Sequence, residues 1–130
     1  MAQTLDQHRA QFAWEAVNKA KRDLKEFKEY KNLAKGAPAL VMSNGLMAAI
    51  AFYQSRSKAH ATQLMNDMLG WLVLRFKDDP GFRPLPTDFR SAMERLQKAD
   101  SGFYMRATDE TLAMLKWLRQ FADAIESAGG

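Results

Sequence analysis

Hydrophobic positions recur along this chain at helical spacing, and nowhere do they alternate with period two over a useful length. The expectation is an all-α, single-domain helical bundle of about five main helices. From about Thr4 to Leu33, Ala13, Ala16, Val17, Ala20, Leu24 and Phe27 share one face with no Gly or Pro between them, which predicts one long first helix. Thr4 or Asp6 can cap its start. Lys35-Gly36-Ala37-Pro38 reads as its end, a glycine just past the last turn with a proline close behind. The next stretch, Gly36 to Ser55, contains no charged residue, although such residues make up 26% of the chain. Within it Ala39, Leu40, Val41, Met42, Leu46, Met47, Ile50 and Phe52 point all round a helical wheel, so the second helix must be fully enclosed by other helices or by lipid. Spanning a bilayer takes about 20 mostly apolar residues, and Ser43, Asn44 and Gly45 interrupt this run, so helices are the expected enclosure. Asn-Gly normally signals a turn, but the period continues on both sides of it and places both residues inside the helix.

A third helix is predicted from about Ser57 to Phe76, with a stripe of Ala61, Leu64, Met65, Met68, Leu72 and Phe76 that Trp71 and Leu74 widen near its end. Lys77 to Pro86 reads as a loop. Thr87 or Asp88 then caps a short fourth helix carrying Phe89, Met93 and Leu96, which Asp100-Ser101-Gly102 ends. The fifth runs from about Phe103 to Ser127, with Ala107, Met114, Leu115, Leu118, Phe121, Ala122 and Ile125 facing inward, and Ser127 to Gly130 is expected to fray.

A length of 130 residues predicts one domain over residues 1–130, large enough to bury most of its apolar surface. The absence of cysteine excludes disulfides, thiolate catalysis and cysteine–zinc sites. The amino-terminal MAQTLDQHRAQF has no apolar core of a secretory signal, so a cytoplasmic location is expected.

Catalytic ingredients are sparse. His8 and His60, the only histidines, lie far apart and outside any metal-binding spacing. No serine sits in a nucleophile elbow, and no phosphate-binding glycine motif is present. Asp78-Asp79 reads as solvated turn chemistry, and Asp109-Glu110 as acids near the start of the last helix. A non-enzymatic protein with no cofactor and no metal is the expectation; a hydrolase would need these groups to converge in a pocket. Of the eight methionines, Met42, Met47, Met65, Met68 and Met114 sit at core spacing and read as gap fillers.

Net charge is +4, which permits nucleic-acid contact without requiring it. Its distribution is more informative. Lys21, Lys25 and Lys28, spaced i, i+4, i+7 and extended by Asn32, form a row beside the apolar face of the first helix. Glu15, Glu26 and Glu29 gather opposite, with Lys19 and Arg22 near enough to pair with them. Such segregation suits either phosphate tracking or a merely solvated face. Arg56 and Lys58, after the second helix, form a second basic cluster of the same ambiguous kind.

Several motifs together resemble the small subunit of the Cmr complex, the RNA-guided type III-B CRISPR effector. They are Leu5-Asp6-Gln7-His8-Arg9; Tyr30 through Pro38 to Ser43-Asn44-Gly45-Leu46, with Ala51-Phe52 following; and Tyr104-Met105-Arg106-Ala107-Thr108-Asp109-Glu110 with Leu115 to Ala122. The region from about Ser57 to Gly102 matches only in being helical. The resemblance implies a non-catalytic subunit that stacks as a minor filament and helps line the basic groove holding target RNA. Its implied partners are other Cmr subunits, including the one that carries the guide RNA, neighbouring copies of itself, and the guide–target duplex; no membrane and no small-molecule substrate is implied. The candidate backbone contacts are Lys21, Arg22, Lys25, Lys28, Arg56 and Lys58, with Trp14 or Tyr104 as candidates for subunit contacts and Trp14 equally a candidate for the core. The rival expectation is a protein–protein adaptor whose lysines serve only solubility.

Overall fold

The computed structural model describes residues 2–79 and 88–127, and among these it holds six helices and no strand. They are α1 (Leu5–Asp23), α2 (Phe27–Asn44), α3 (Leu46–Arg56), α4 (Ala59–Arg75), α5 (Phe89–Lys98) and α6 (Ser101–Ser127). The all-α expectation holds. The part of the expected Lys77–Pro86 loop from residue 80 onward, Thr87 as a cap, and the tail beyond Ser127 lie outside the described residues.

The longest element, α6, is the spine. Arg9 reaches Glu110 and Trp14 meets Phe121, so α1 runs alongside α6 in the same direction. Lys31 pairs with Glu126 at one end of α2 and Tyr104 meets the α2–α3 junction at the other, so α2 runs antiparallel to α6. α3 and α4 pack on this frame, with α5 against α3. Tyr30, Leu46, Ile50, Tyr53, Leu64, Met68, Trp71, Leu72, Phe76 and Leu118 are fully buried at its centre.

Three expected boundaries are corrected. The first helix does not continue to Leu33: it ends at Asp23, with Leu24 extended (φ −89°, ψ 134°). An unbroken helix of that length would extend about 45 Å and carry Phe27 and Tyr30 beyond the bundle. The break at Leu24-Lys25-Glu26 instead turns the chain back, and both rings are buried and stacked 5.9 Å apart. Conversely, the expected stop at Lys35-Gly36-Ala37-Pro38 lies inside α2. An interior proline costs about 3 kcal/mol, and burial of Tyr30, Ala34, Ala37 and Val41 along α2 offsets it.

The third correction falls on Asn44-Gly45, which was expected inside a single enclosed helix. Gly45 takes φ +94° and ψ 161°, which breaks that segment into the end of α2 and all of α3. Its surroundings are also less uniform than the composition implied. Ala37, Val41, Leu46, Ala49, Ile50 and Tyr53 are buried, but Met42 is 73% exposed and Phe52 lies outward. Met42 therefore fills no core gap, and Leu74, expected to widen a buried stripe, is half-exposed.

Of the cap candidates, Thr4 and Asp88 serve, and Asp100, expected only to break a helix, caps the next one. Gln7 N–H donates to Thr4 Oγ1 (3.1 Å) while Thr4 N–H donates to Gln7 Oε1 (2.7 Å), a reciprocal capping box. Ser91 N–H donates to Asp88 Oδ1 at the start of α5, and Phe103 N–H to Asp100 Oδ1 at the start of α6.

Candidate nucleic-acid interface

The three lysines of the basic row fall on three different pieces of backbone. Lys21 lies in the last turn of α1, Lys25 in the elbow and Lys28 in the first turn of α2. The expected straight i, i+4, i+7 row on one helix is thus replaced by a bend. All three are exposed, and they line one open groove of about 550 Å³ together with Phe27. Lys21 Nζ stands 5.2 Å from the centre of the Phe27 ring, a cation–π contact that orients it without neutralising it. Among the described residues none of these lysines forms an ion pair.

The elbow also moves the acids. Glu26 and Glu29, expected on the far side of a straight helix, line the same groove, as does Glu126. Glu126 is already compensated, because Lys31 Nζ lies 3.0 Å from it and 3.4 Å from Asp123. Arg22 pairs with its neighbour Asp23 at 3.1 Å in an exposed contact that solvent weakens, not with the glutamates. Lys19 and Glu15 line a separate cavity on another face of α1, beside Phe12 and Asp67.

The second basic cluster lies on a turn next to the elbow. Arg56 ends α3 with its guanidinium 5.4 Å from the Phe52 ring centre, Ser57 turns through the left-handed region (φ 53°), and Lys58 precedes α4. Ala59 and His60 then line a cavity of about 170 Å³ with Leu24, Lys25 and Glu26. The α3–α4 turn therefore abuts the α1–α2 elbow. The turn that carries Arg56 and Lys58 thus lies beside the elbow that follows Lys21 and Arg22, carries Lys25 and leads into Lys28, although the sequence separates the two groups.

The two histidines do not converge. His8 and Lys77 share a cavity with Trp71 and Arg75 near the end of α4, whereas His60 stands at its start, roughly 20 Å away at 1.5 Å per residue. Asp79 pairs with Arg106 at 3.3 Å. Among the described residues no three His, Cys, Asp or Glu side chains cluster as metal ligands, and no helix is long and apolar enough to cross a membrane.

The structure assigns roles that residue spacing alone did not reach. The bidentate Arg9–Glu110 pair (3.0 and 2.7 Å) joins α1 to α6, with Arg75 Nε of α4 at 3.2 Å from the same carboxylate. Burial raises the Glu110 pKa, but the bonds and charges of Arg9 and Arg75 outweigh it and hold the carboxyl below its usual range. Trp117 Nε1 donates to Asp6 Oδ1 (3.1 Å), and Met47 N–H donates to Tyr104 Oη (3.0 Å). Tyr104 is therefore committed to the α2–α3 junction. Trp14 lies half-exposed, edge-on to Phe121. Tyr30 Oη donates to Asp67 Oδ2 (2.5 Å) and Gln63 Nε2 to Asp67 Oδ1 (3.0 Å) inside the core. An acid between Leu64 and Trp71 on an apolar stripe was the available signal for that site.

Residues 5–125 match the family described as CRISPR-associated protein (Cas_Cmr5). The chain is 34% identical over 116 residues to the CRISPR system Cmr subunit Cmr5 of Thermus thermophilus, which covers 89% of this chain and 90% of that protein. It is also similar to the crystal structure of a CRISPR-associated Cmr5 family protein from Thermus thermophilus, with a TM-score of 0.77, 32% identity, and 95% and 97% of the two chains covered.

Proposed function

The chain belongs to the Cmr5 family of CRISPR-associated proteins, and we propose that it is the non-catalytic small subunit of a type III-B Cmr effector, stacking with copies of itself and lending its basic end to the groove that holds target RNA. The observation that carries this reading is the meeting of two lysine- and arginine-bearing turns at one end of a rigid bundle. Lys21, Lys25 and Lys28 have no ion-pair partner there among the described residues and are open to solvent. Backbone phosphates need charge at roughly the right place and no base reading, which a guide RNA supplies by pairing. Arg22, Arg56 and Lys58 are the secondary contacts, since Arg22 must first leave Asp23.

The motif residues fit a framework role. Leu5–Arg9 and Tyr104–Glu110, far apart in sequence, meet through Arg9–Glu110 and fix α1 against α6. That brace holds the elbow at a defined place relative to the rest of the bundle.

A second reading, a protein–protein adaptor, draws support from Glu26 and Glu29, because a groove of mixed charge also suits a protein surface. Reversing Lys21, Lys25 and Lys28 to glutamate in the reconstituted complex separates the two. The expected result is weakened target-RNA retention with subunit assembly intact. Unchanged RNA retention would leave the adaptor reading in its place.

A further inference from the structure

Three aromatic side chains on the α1–α6 seam have no role in the lysine groove itself. Trp117 stacks on Phe121 (5.5 Å, 27°), and Phe121 meets Trp14 edge-on (5.2 Å, 82°). Asp6 anchors Trp117 through its indole N–H, so the row is fixed at one end. Trp14 ends the row 48% exposed. The amide one turn further on, Asn18 Nδ2, is folded back onto the Trp14 carbonyl oxygen (2.8 Å). Two turns along the same α1 face from Trp14 comes Lys21, about 10 Å away along the helix axis, and with it the groove of Lys25 and Lys28. The acids at the two ends of this strip are already committed, Asp6 to Arg9 and Trp117, and Glu126 to Lys31.

We propose that Trp14, backed by Phe121 and Trp117, is a stacking platform for an unpaired nucleobase of single-stranded RNA whose flanking phosphates lie along Lys21 and Lys25. A fixed, half-exposed indole continuous with unpaired cations is the combination by which single strands are held without sequence preference. This deepens the phosphate-groove reading and rests on it. An indole face in contact with a base adds affinity only where a base is present, whereas the lysines act on any phosphate chain.

The test is binding of the full chain, at low salt, to a short oligouridylate and to an abasic ribose-phosphate oligomer of the same length. Trp14→Ala is expected to weaken oligouridylate binding roughly ten-fold and to leave the abasic oligomer unchanged. Trp14→Phe should retain most of the affinity. If Trp14→Ala fails to fold, Trp14→Leu keeps the apolar volume without an aromatic face and gives the same comparison. Equal loss on both oligomers, no loss on either, or a defect confined to subunit assembly overturns the platform. The combined Lys21→Glu, Lys25→Glu, Lys28→Glu variant should lose both oligomers, and if it loses neither, the phosphate groove fails whatever Trp14 does.

Discussion

Asp67 is a carboxylic acid held inside the core. Burial raises its pKa, the bonds from Tyr30 and Gln63 and the charge of Lys19 pull it only partly back, and it is left at about 6. A carboxyl whose folded pKa lies above its unfolded value stabilises fully below that unfolded value, near 4, and the contribution is lost as pH rises through about 6. At pH 7.5 the ionised group therefore costs the fold roughly 2–3 kcal/mol relative to acid. Asp67→Asn keeps an acceptor for Tyr30 and removes the charge. Thermal melting should find the Asp67→Asn variant more stable than the parent at pH 7.5, with the gap closing near pH 4. A constant gap across that range would contradict this account. Glu110 behaves oppositely: held low by arginines, it stabilises above its ordinary range and loses that contribution as pH falls. Arg9→Ala, which leaves Arg75 as the sole cation beside this buried acid, should cost about 2 kcal/mol at neutral pH in urea titration. No measurable change would show that Arg75 alone suffices.

At the level of elements, both surprises are cases where tertiary packing overrode a local signal. Nothing in Asp23-Leu24-Lys25-Glu26 announces a break: it has no Gly, no Pro, and no side-chain cap at Glu26. The chain turns there because Phe27 and Tyr30 are worth more inside than out. Gly36 and Pro38 announce a break that packing suppresses. Where the local signal and the core agreed, the reading held. The Thr4 box, the Asp88 cap and the break near Asp100 all fall where the residues place them. Gly45 shows a third case, in which periodicity concealed a turn that Asn-Gly had signalled correctly. A side chain there meets a backbone angle of +94° that only glycine adopts readily, so Gly45→Ala should lower stability by about 2 kcal/mol. Tyr104→Phe should cost about 1 kcal/mol by leaving Met47 N–H without its acceptor. Denaturation midpoints check both, and an unchanged midpoint for either would mean that the α2–α3 junction readjusts.

For the molecule as a whole, the family was legible from short motifs, and their physical purpose became visible only once folded. Arg9 with Glu110 and Met47 with Tyr104 are partners across the bundle, which no spacing along the chain can show. The candidate contact residues were legible as cations but not as a group, because the elbow and the α3–α4 turn meet only in three dimensions. The same elbow brings Glu26 and Glu29 into the groove, so local net charge is lower than a straight basic stripe would have. Three phosphate contacts to a single strand correspond to a slope of roughly −2 in log K against log salt, modest for one copy and multiplied when copies stand in a row. The most direct measurement is that slope for target RNA on the reconstituted complex, compared between the native chain and the variant carrying Lys21→Glu, Lys25→Glu and Lys28→Glu. A slope shallower by roughly 2 for each small subunit in contact is the predicted result; identical slopes would contradict the claim that this end of the bundle touches the RNA backbone.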